Sequence, residues 1–256
     1  MTPALEVHDL HKQFGGIVAL DGVSMDAAFG QITAVIGPNG AGKSTLFNIV
    51  AGAYPATRGE VRLEGKPLGA MPPEHRVRNG IARTFQSALP FANMSVLENV
   101  MVGRHTRSHS GFFSAAFRTP GFRREEEDSY LASMRCLNLV GLGAKASDSA
   151  GVLPFGQQRL LAIARALVAE PRVLLLDEPG AGLNALEKEE LAELIDRVRG
   201  DRIAILLVEH DMELVMQSAD KVVVLDSGQK IAEGTPAEVQ RNGKVIAAYL
   251  GEEEPV

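Results

Sequence analysis

The chain has 256 residues and a formal net charge of −6, enough for one large domain or a core with a subdomain. The negative balance argues against a general nucleic-acid binder, and no apolar run approaches the ~18 residues of a membrane span. The N-terminus lacks a signal-peptide pattern, and the single cysteine, Cys136, cannot form an internal disulfide. These features favour a reducing, cytoplasmic location.

Residues 5–35 alternate short apolar runs with turns, a pattern that predicts antiparallel strands and hairpins. Residues 32–36 are apolar and β-branched, which indicates a buried strand before the next loop. Phe14 lies in this region, and two interpretations of it stay open. Its ring either packs on a neighbouring strand or stacks on an adenine.

Residues 37–45 fit G-x-x-x-x-G-K-[ST], the phosphate-binding P-loop. They follow the buried strand and precede helical spacing, which is the context that the motif requires. Three glycines let backbone N–H groups turn inward, and the helix N-terminus adds partial positive charge. In this motif Lys43 reaches the β- and γ-phosphates and the Ser44 hydroxyl binds Mg²⁺. The predicted cradle is Gly37, Pro38, Asn39, Gly40, Ala41, Gly42, Lys43, Ser44 and Thr45.

Two strands and a short helix are predicted next. Residues 60–63 and 81–86 have strand patterns, and Pro72-Pro73 opens a helix that Gly80 ends. Gln86 stands at the end of the second strand. It is either a plain polar strand end or a side chain that touches Mg²⁺ or water and reports nucleotide occupancy to the following segment.

Residues 87–150 predict a helical insertion. One helix begins near Asn93 or Ser95, and a second has the acidic residues 125–128 as its first turn. Between them, residues 103–124 contain no acidic residue and interleave arginines with phenylalanines. This stretch is either a solvated loop with inward aromatics or a contact for nucleic acid, lipid headgroups or a partner protein.

The second half predicts a parallel sheet. Residues 173–176 and 203–208 are continuous apolar runs, which are typical of parallel strands covered on both faces. Functional groups then belong at the carboxyl ends of the strands. Asp177 and Glu178 follow the first run, and His210 follows the second.

These side chains suit ATP chemistry. Asp177 is placed to bind Mg²⁺ with Ser44 and ATP oxygens, and Glu178, which points elsewhere, suits polarisation of the attacking water. The alternative for both carboxylates is capping of the following turn. His210 is positioned to contact the γ-phosphate and the water, although a lone histidine is usually structural.

In combination these motifs resemble the ATP-binding subunits of ABC transporters over nearly the whole chain. The P-loop corresponds to the Walker A motif, residues 173–178 to the Walker B, Gln86 to the Q-loop, residues 180–184 to the D-loop and His210 to the switch histidine. The resemblance implies an α/β P-loop NTPase core with a mostly parallel sheet, an N-terminal antiparallel β-subdomain and a helical subdomain. The implied single ABC domain divides into a core of residues 1–86 and 171–256 and a helical subdomain of residues 87–170.

Within the family, the chain looks like the branched-chain amino-acid importer branch. The resemblance implies that Phe14 and Val18 contact the nucleotide. It further implies that Gln86 joins Ser44 and Asp177 at Mg²⁺. Relatives that serve urea, amides or other small solutes share much of the pattern, and lipopolysaccharide-export ATPases form a neighbouring branch. The residues that resemble this branch are 14–16, 19–20, 82–86, 103–124, 156–159, 209–212 and 245–251, and the implied catalytic set is Lys43, Gln86, Glu178 and His210.

Residues 153–157 stand where the family has LSGGQ, the segment that contacts the ATP of the opposite subunit. Pro154 replaces the serine and Phe155 the first glycine, so one hydroxyl donor is lost. Proline is favoured in a first helical turn, and the N–H groups near Gly156 and the helix dipole remain. Because one such bond is worth roughly 1.5–3 kcal/mol, we expect an active ATPase with an altered contact. The implied contacts are Leu153, Pro154, Phe155, Gly156 and Gln157.

One set of Walker motifs cannot enclose ATP, so two chains are expected to sandwich two nucleotides head to tail. The resemblance implies a homodimer or a heterodimer with a related ATP-binding subunit on the cytoplasmic side of the inner membrane. It also implies membrane permease subunits and, indirectly, a solute-binding protein, without nucleic acid. Gln86 and the insertion are expected to pass closure to the permease. An exporter subunit stays an alternative, and a soluble ATPase acting on nucleic acid or ribosomes usually has a second nucleotide domain or a long coiled coil.

Overall fold

The computed structural model describes residues 3–84, 90–105, 120–200 and 202–250. The described strands are β1 (Leu5–Phe14), β2 (Ile17–Ala27), β3 (Ile32–Ile36), β4 (Arg58–Leu63), β5 (Lys66–Pro67), β6 (Ile81–Arg83), β7 (Val173–Asp177), β8 (Ala204–Val208), β9 (Lys221–Asp226) and β10 (Gln229–Gly234). The described α-helices are α1 (Lys43–Val50), α2 (Pro73–Arg78), α3 (Val96–Arg104), α4 (Pro120–Leu139), α5 (Phe155–Leu167), α6 (Ala185–Arg199), α7 (Met212–Ser218), α8 (Pro236–Gln240) and α9 (Gly243–Leu250).

The strands form two sheets. An antiparallel sheet has the order β2-β1-β4-β5, and a six-stranded sheet has the order β10-β9-β3-β8-β7-β6. Strands β9, β3, β8, β7 and β6 are parallel to their neighbours, whereas β10 pairs antiparallel to β9. The predicted α/β fold with an N-terminal antiparallel subdomain is confirmed.

The central strands β3, β7 and β8 are buried at every position. One face of the sheet packs with α1 and the antiparallel sheet, and the other packs with residues of α3 to α6. A third apolar cluster lies between β3, β9 and helices α7 to α9. Burial on both faces explains why these strands are runs of valine, leucine and isoleucine rather than alternating patterns.

Two sequence-based bounds are wrong. The acidic residues 125–128 do not form the first turn of their helix, because α4 begins five residues earlier, at Pro120. Proline fits an initial helical position, where its missing N–H has no partner to lose. The strand predicted over 81–86 ends at Arg83, and Gln86 lies outside the described residues, as do residues 106–119 of the basic and aromatic stretch. Ser95 is the cap of α3, with a reciprocal capping box to Glu98.

Cys136 lies on α4 and is partly buried. Burial raises the pKa of its thiol to about 11. Since the thiolate is the reacting species, we expect alkylation at pH 8 to be about 100-fold slower in the folded protein than in the unfolded chain. Mass spectrometry after timed iodoacetamide treatment, with and without urea, measures this ratio. Equal rates in the two states would show that the thiol is not protected.

No helix in the described part of the chain is long and apolar enough to cross a membrane.

Candidate nucleotide site

The P-loop joins β3 to α1, and its three glycines all have positive φ, 147° at Gly37, 79° at Gly40 and 101° at Gly42. At two of them the neighbours also exclude a side chain. A Cβ on Gly37 would lie 2.0 Å from the Leu225 carbonyl oxygen, and one on Gly42 would lie 2.6 Å from that of Ala19. The loop is therefore held in its curled shape by both backbone conformation and close packing.

Lys43 is buried at the start of α1, and its Nζ donates to the carbonyl oxygens of Gly37 (2.6 Å) and Pro38 (2.8 Å). The ammonium group is thus folded back over the loop that carries it. Asn39 and Ser44 are exposed on either side. This arrangement offers a positive charge, a hydroxyl and the N–H groups of a helix N-terminus to an anion.

Asp177 ends β7 and pairs in register with Val208 at the end of β8, so the groups that follow the two strands come together. Glu178 has φ +47°, a conformation that costs a non-glycine residue energy and is concentrated at functional sites. Its Oε1 lies 2.9 Å from Nε2 of His210. The structure therefore brings the predicted base and the switch histidine into direct contact.

Arg83, which sequence reasoning left without a role, holds Asp177 in place. Its Nη2 donates to Asp177 Oδ2 (2.6 Å) and its Nη1 donates to Asn48 Oδ1 (2.7 Å). Asn48 stands four residues after Ser44 on α1, hence on the same helical face. The bridge therefore places Asp177 beside the face that carries Ser44. The available signal was a charged residue at the end of the buried strand β6, because such a residue needs a partner.

The β1–β2 hairpin carries Phe14 and Val18, whose side chains are 41% and 55% exposed. The hairpin flanks the P-loop, since the Ala19 carbonyl packs against Gly42. The Phe14 ring meets Tyr54 edge-on, with 5.4 Å between ring centroids, and Lys12 Nζ lies 4.7 Å from its centroid. Both predicted roles of Phe14 stay open, because its side chain contacts Tyr54 and Lys12 and is still 41% exposed.

Replacement of Phe14 by alanine tests the stacking role. Base–aromatic stacking is worth about 1–3 kcal/mol, so we expect ATP to bind about 10-fold more weakly. Titration with a fluorescent ATP analogue measures the affinity. Ile17→Ala is the matched control, because Ile17 faces Phe14 across the hairpin and is more exposed. Unchanged affinity in Phe14→Ala would reject adenine stacking.

The segment 153–157 opens α5. Pro154 directly precedes the helix, at its N-cap position. The first turn leaves the N–H groups of Phe155, Gly156 and Gln157 without intrahelical acceptors. The Leu153 side chain is buried, the Gln157 side chain accepts from Lys145 Nζ (2.7 Å), and Pro154 and Phe155 are exposed. Segment 153–157 therefore exposes the start of α5 and the Phe155 ring, and it has no hydroxyl group.

Phe155 links this segment to the residues after Glu178. A Cβ on Gly182 would lie 2.9 Å from the Phe155 ring, and the φ of +81° at Gly182 also favours glycine there. Arg159 lies over the same ring, 4.9 Å from its centroid. In the same way, a Cβ on Gly156 would lie 2.5 Å from the Glu187 carboxylate. The helix start and the 180–184 loop of one chain therefore pack as one surface.

A P-loop after the central strand β3, a histidine after its neighbour β8 and two carboxylates at the end of the next strand, β7, define an ATPase of the ATP-binding-cassette class. The sequence profile for ABC transporters matches residues 20–181, and a profile for branched-chain amino acid ATP-binding cassette transporters matches residues 229–255. Among solved structures, a nucleotide-free ATP-binding cassette from an ABC transporter is 33% identical with a TM-score of 0.85, covering 98% of this chain and 100% of its own. A cassette in its ADP conformation is 32% identical with a TM-score of 0.86, at the same coverage.

Two curated relatives are similar over almost their full length. A high-affinity branched-chain amino acid transport ATP-binding protein of Pseudomonas aeruginosa is 43% identical over 251 residues, and its counterpart in Escherichia coli is 42% identical over 251 residues. Each alignment covers 98% of both chains. The chain therefore belongs to the ABC transporter family, in the group of branched-chain amino acid transport ATP-binding proteins, whose cassettes hydrolyse ATP to drive transport.

Proposed function

We propose that this chain is the ATP-hydrolysing subunit of an importer for branched-chain amino acids. The observation that carries the proposal is 42–43% identity to transport proteins for these solutes over 98% of the chain. The N-terminal and C-terminal parts both take part in that similarity. Urea, amides and related small solutes are the alternative cargo, and lipopolysaccharide export is the alternative direction.

The residues fit Mg²⁺-ATP. Mg²⁺ prefers oxygen ligands and keeps several waters. Arg83 bonds both Asp177 and Asn48, which places Asp177 beside the face of α1 that carries Ser44. Ser44 and Asp177, together with Gln86 by resemblance, are the proposed ligands. When bound, Mg²⁺ neutralises charge on the β- and γ-phosphates.

The chain's own groups divide the remaining work. The P-loop N–H groups and Lys43 orient the phosphates, which involves exchanging the Lys43 contacts to Gly37 and Pro38 for phosphate oxygens. Glu178 accepts a proton from the attacking water as a general base. His210 contacts the γ-phosphate and holds Glu178, whose carboxylate it already meets at 2.9 Å.

We further propose that two chains sandwich two ATP molecules, with residues 153–157 of one closing the P-loop of the other. The exposed start of α5 is suited to this role, because a helix N-terminus attracts the γ-phosphate. The second chain is a copy of this one or a related subunit. The assembled pair sits at the cytoplasmic face of the inner membrane against permease subunits, which receive solute from a binding protein, and nucleic acid has no part.

Uptake by proteoliposomes tests the cargo. The chain is reconstituted with the membrane subunits that co-purify with it and supplied with internal ATP and the matching binding protein. We expect ATP-dependent accumulation of radiolabelled leucine, isoleucine and valine, and none when the ATPase subunit carries Glu178→Gln. Accumulation of urea or short amides without these amino acids would overturn the cargo, and ATP-driven outward movement of lipid-linked sugar would overturn the direction.

A further inference from the structure

Glu209 is a buried carboxylate that the reaction described above does not use. It follows β8 directly, precedes His210 and is 3% exposed. Burial raises the pKa of its carboxyl, against the opposing effect of hydrogen bonds from the Gly180, His210 and Asp211 backbones. Burying an acid is unfavourable unless its oxygens are well bonded. The role of Glu209 therefore follows from the hydrogen bonds that its side chain accepts.

Both carboxylate oxygens bind backbone on the two loops of the catalytic pair. Oε1 accepts from the Gly180 N–H at 2.6 Å, and Oε2 accepts from the His210 N–H at 3.2 Å. Gly180 is two residues after Glu178, and His210 touches Glu178 through its ring. These contacts form a closed hydrogen-bond network that runs from Glu178 through Gly180 and Glu209 to His210 and back to Glu178.

We propose that Glu209 is a positioning residue for ATP hydrolysis, which fixes the separation of Glu178 and His210 by tying together the two loops that carry them. The inference rests on the proposed function, because it concerns the same base and the same histidine. Close packing supports it. A Cβ on Gly180 would lie 3.0 Å from Glu209 Oε1 and 2.9 Å from Leu214, so the Gly180 backbone packs directly against the carboxylate.

The hydrogen-bond network also extends to α7. Asp211 caps α7 by accepting from the Glu213 and Leu214 N–H groups, and its other oxygen pairs with Lys188 of α6. The loop after β8 is thus anchored on both sides of His210. Displacement of a catalytic group by about 1 Å can lower a rate by about 100-fold, so loss of the central tie is expected to show in turnover.

The test compares kcat, ATP affinity and local hydrogen exchange in three variants. In Glu209→Ala the bonds from Gly180 and His210 are lost, and we expect kcat to fall about 10- to 100-fold with ATP affinity within about twofold of wild type. Amide exchange in the peptide containing Gly180 should accelerate. Glu209→Gln keeps an acceptor for Gly180 but presents an N–H₂ group to His210, so its loss in kcat should be smaller. Leu214→Ala removes only the apolar neighbour of Gly180 and should lower the melting temperature without a selective loss of kcat.

Two results would overturn the proposal if Glu209→Ala folds. One is turnover in Glu209→Ala within twofold of wild type. The other is an equal loss of kcat in Leu214→Ala without faster exchange at Gly180 in Glu209→Ala, which is the signature of general destabilisation. If Glu209→Ala does not fold, the split between kcat and affinity in Glu209→Gln decides, and an unchanged kcat there rejects the role. Absence of ATP hydrolysis by the wild-type chain would instead reject the proposed function.

Discussion

Replacement of Glu178 by glutamine is expected to leave ATP binding and dimer formation in place and to lower the hydrolysis rate by about 100-fold or more. General bases contribute about 10²- to 10⁴-fold, and glutamine cannot accept the proton from water. It keeps the size of the side chain and an oxygen for the 2.9 Å contact with His210. The loop conformation at φ +47° is set by the fold around it and is expected to persist.

The measurement is phosphate release under saturating Mg²⁺-ATP, with light scattering to follow dimerisation. Glu213→Gln is the control, since Glu213 is an exposed carboxylate on α7 near the same loop. This variant should hydrolyse ATP at the normal rate. Near-normal turnover in Glu178→Gln would contradict the role given to Glu178. Loss of ATP binding would show that the substitution disturbs the site instead.

Loss of Arg83 is expected to give a large effect on stability. The Arg83 and Asp177 side chains are 10% and 9% exposed and 2.6 Å apart. Breaking a buried ion pair on one side leaves an uncompensated charge and costs about 3–5 kcal/mol. Arg83→Met should therefore lower the free energy of unfolding of the nucleotide-free protein by about that amount, measured by urea titration.

The chain offers a matched comparison for this pair. Arg172 and Glu64 lie 2.8 Å apart, but their side chains are 56% and 34% exposed. Arg172→Met should cost under about 1 kcal/mol, because exposed pairs contribute little. In a double-mutant cycle, Asp177→Asn should recover part of the loss in Arg83→Met. Equal costs at the two arginines would mean that the buried bridge does not hold Asp177.

The sequence predicted the fully buried strands, because burial on both faces restricts their positions to apolar residues. The apolar runs of β3, β7 and β8 could be read directly, because a strand covered on both faces has no polar face. The order of the strands could not be read, since β1 pairs with β4 across about 50 residues that carry no pairing signal. The start of α4 was misplaced because the acidic run 125–128 resembles a first helical turn, whereas the helix begins at Pro120.

The sequence predicts candidate site residues where a motif carries the chemistry, and it does not predict contacts between residues that are far apart in the chain. Lys43, Asp177 and Glu178 stand in short motifs with a physical reason for each residue. Arg83 reaches Asp177 from 94 positions away, and Glu209 reaches Gly180 from 29 positions away. Nothing in the local pattern names such partners, although a charge at the edge of a buried strand predicts that one exists.

Pro154 allows the sandwich to be probed without disturbing the fold. It precedes α5 and is exposed, and aspartate is a preferred residue at that position. Pro154→Asp should therefore fold well while placing a negative charge where the partner's γ-phosphate is expected. Pro154→Asn supplies the same cap without the charge and is the control, which should retain hydrolysis.

A mixture of two chains, each expected to be inactive by itself, tests whether the nucleotide site is shared between two chains. One carries Lys43→Ala and the other Pro154→Asp, so each lacks one half of the proposed site. In a head-to-tail dimer the mixed pair has one site that is intact on both sides. We predict that mixing them restores ATP hydrolysis up to about a quarter of the wild-type rate, since about half of the dimers are mixed and each keeps one of two sites. No recovery, with mixed dimers present by mass spectrometry, would contradict a site shared between two chains.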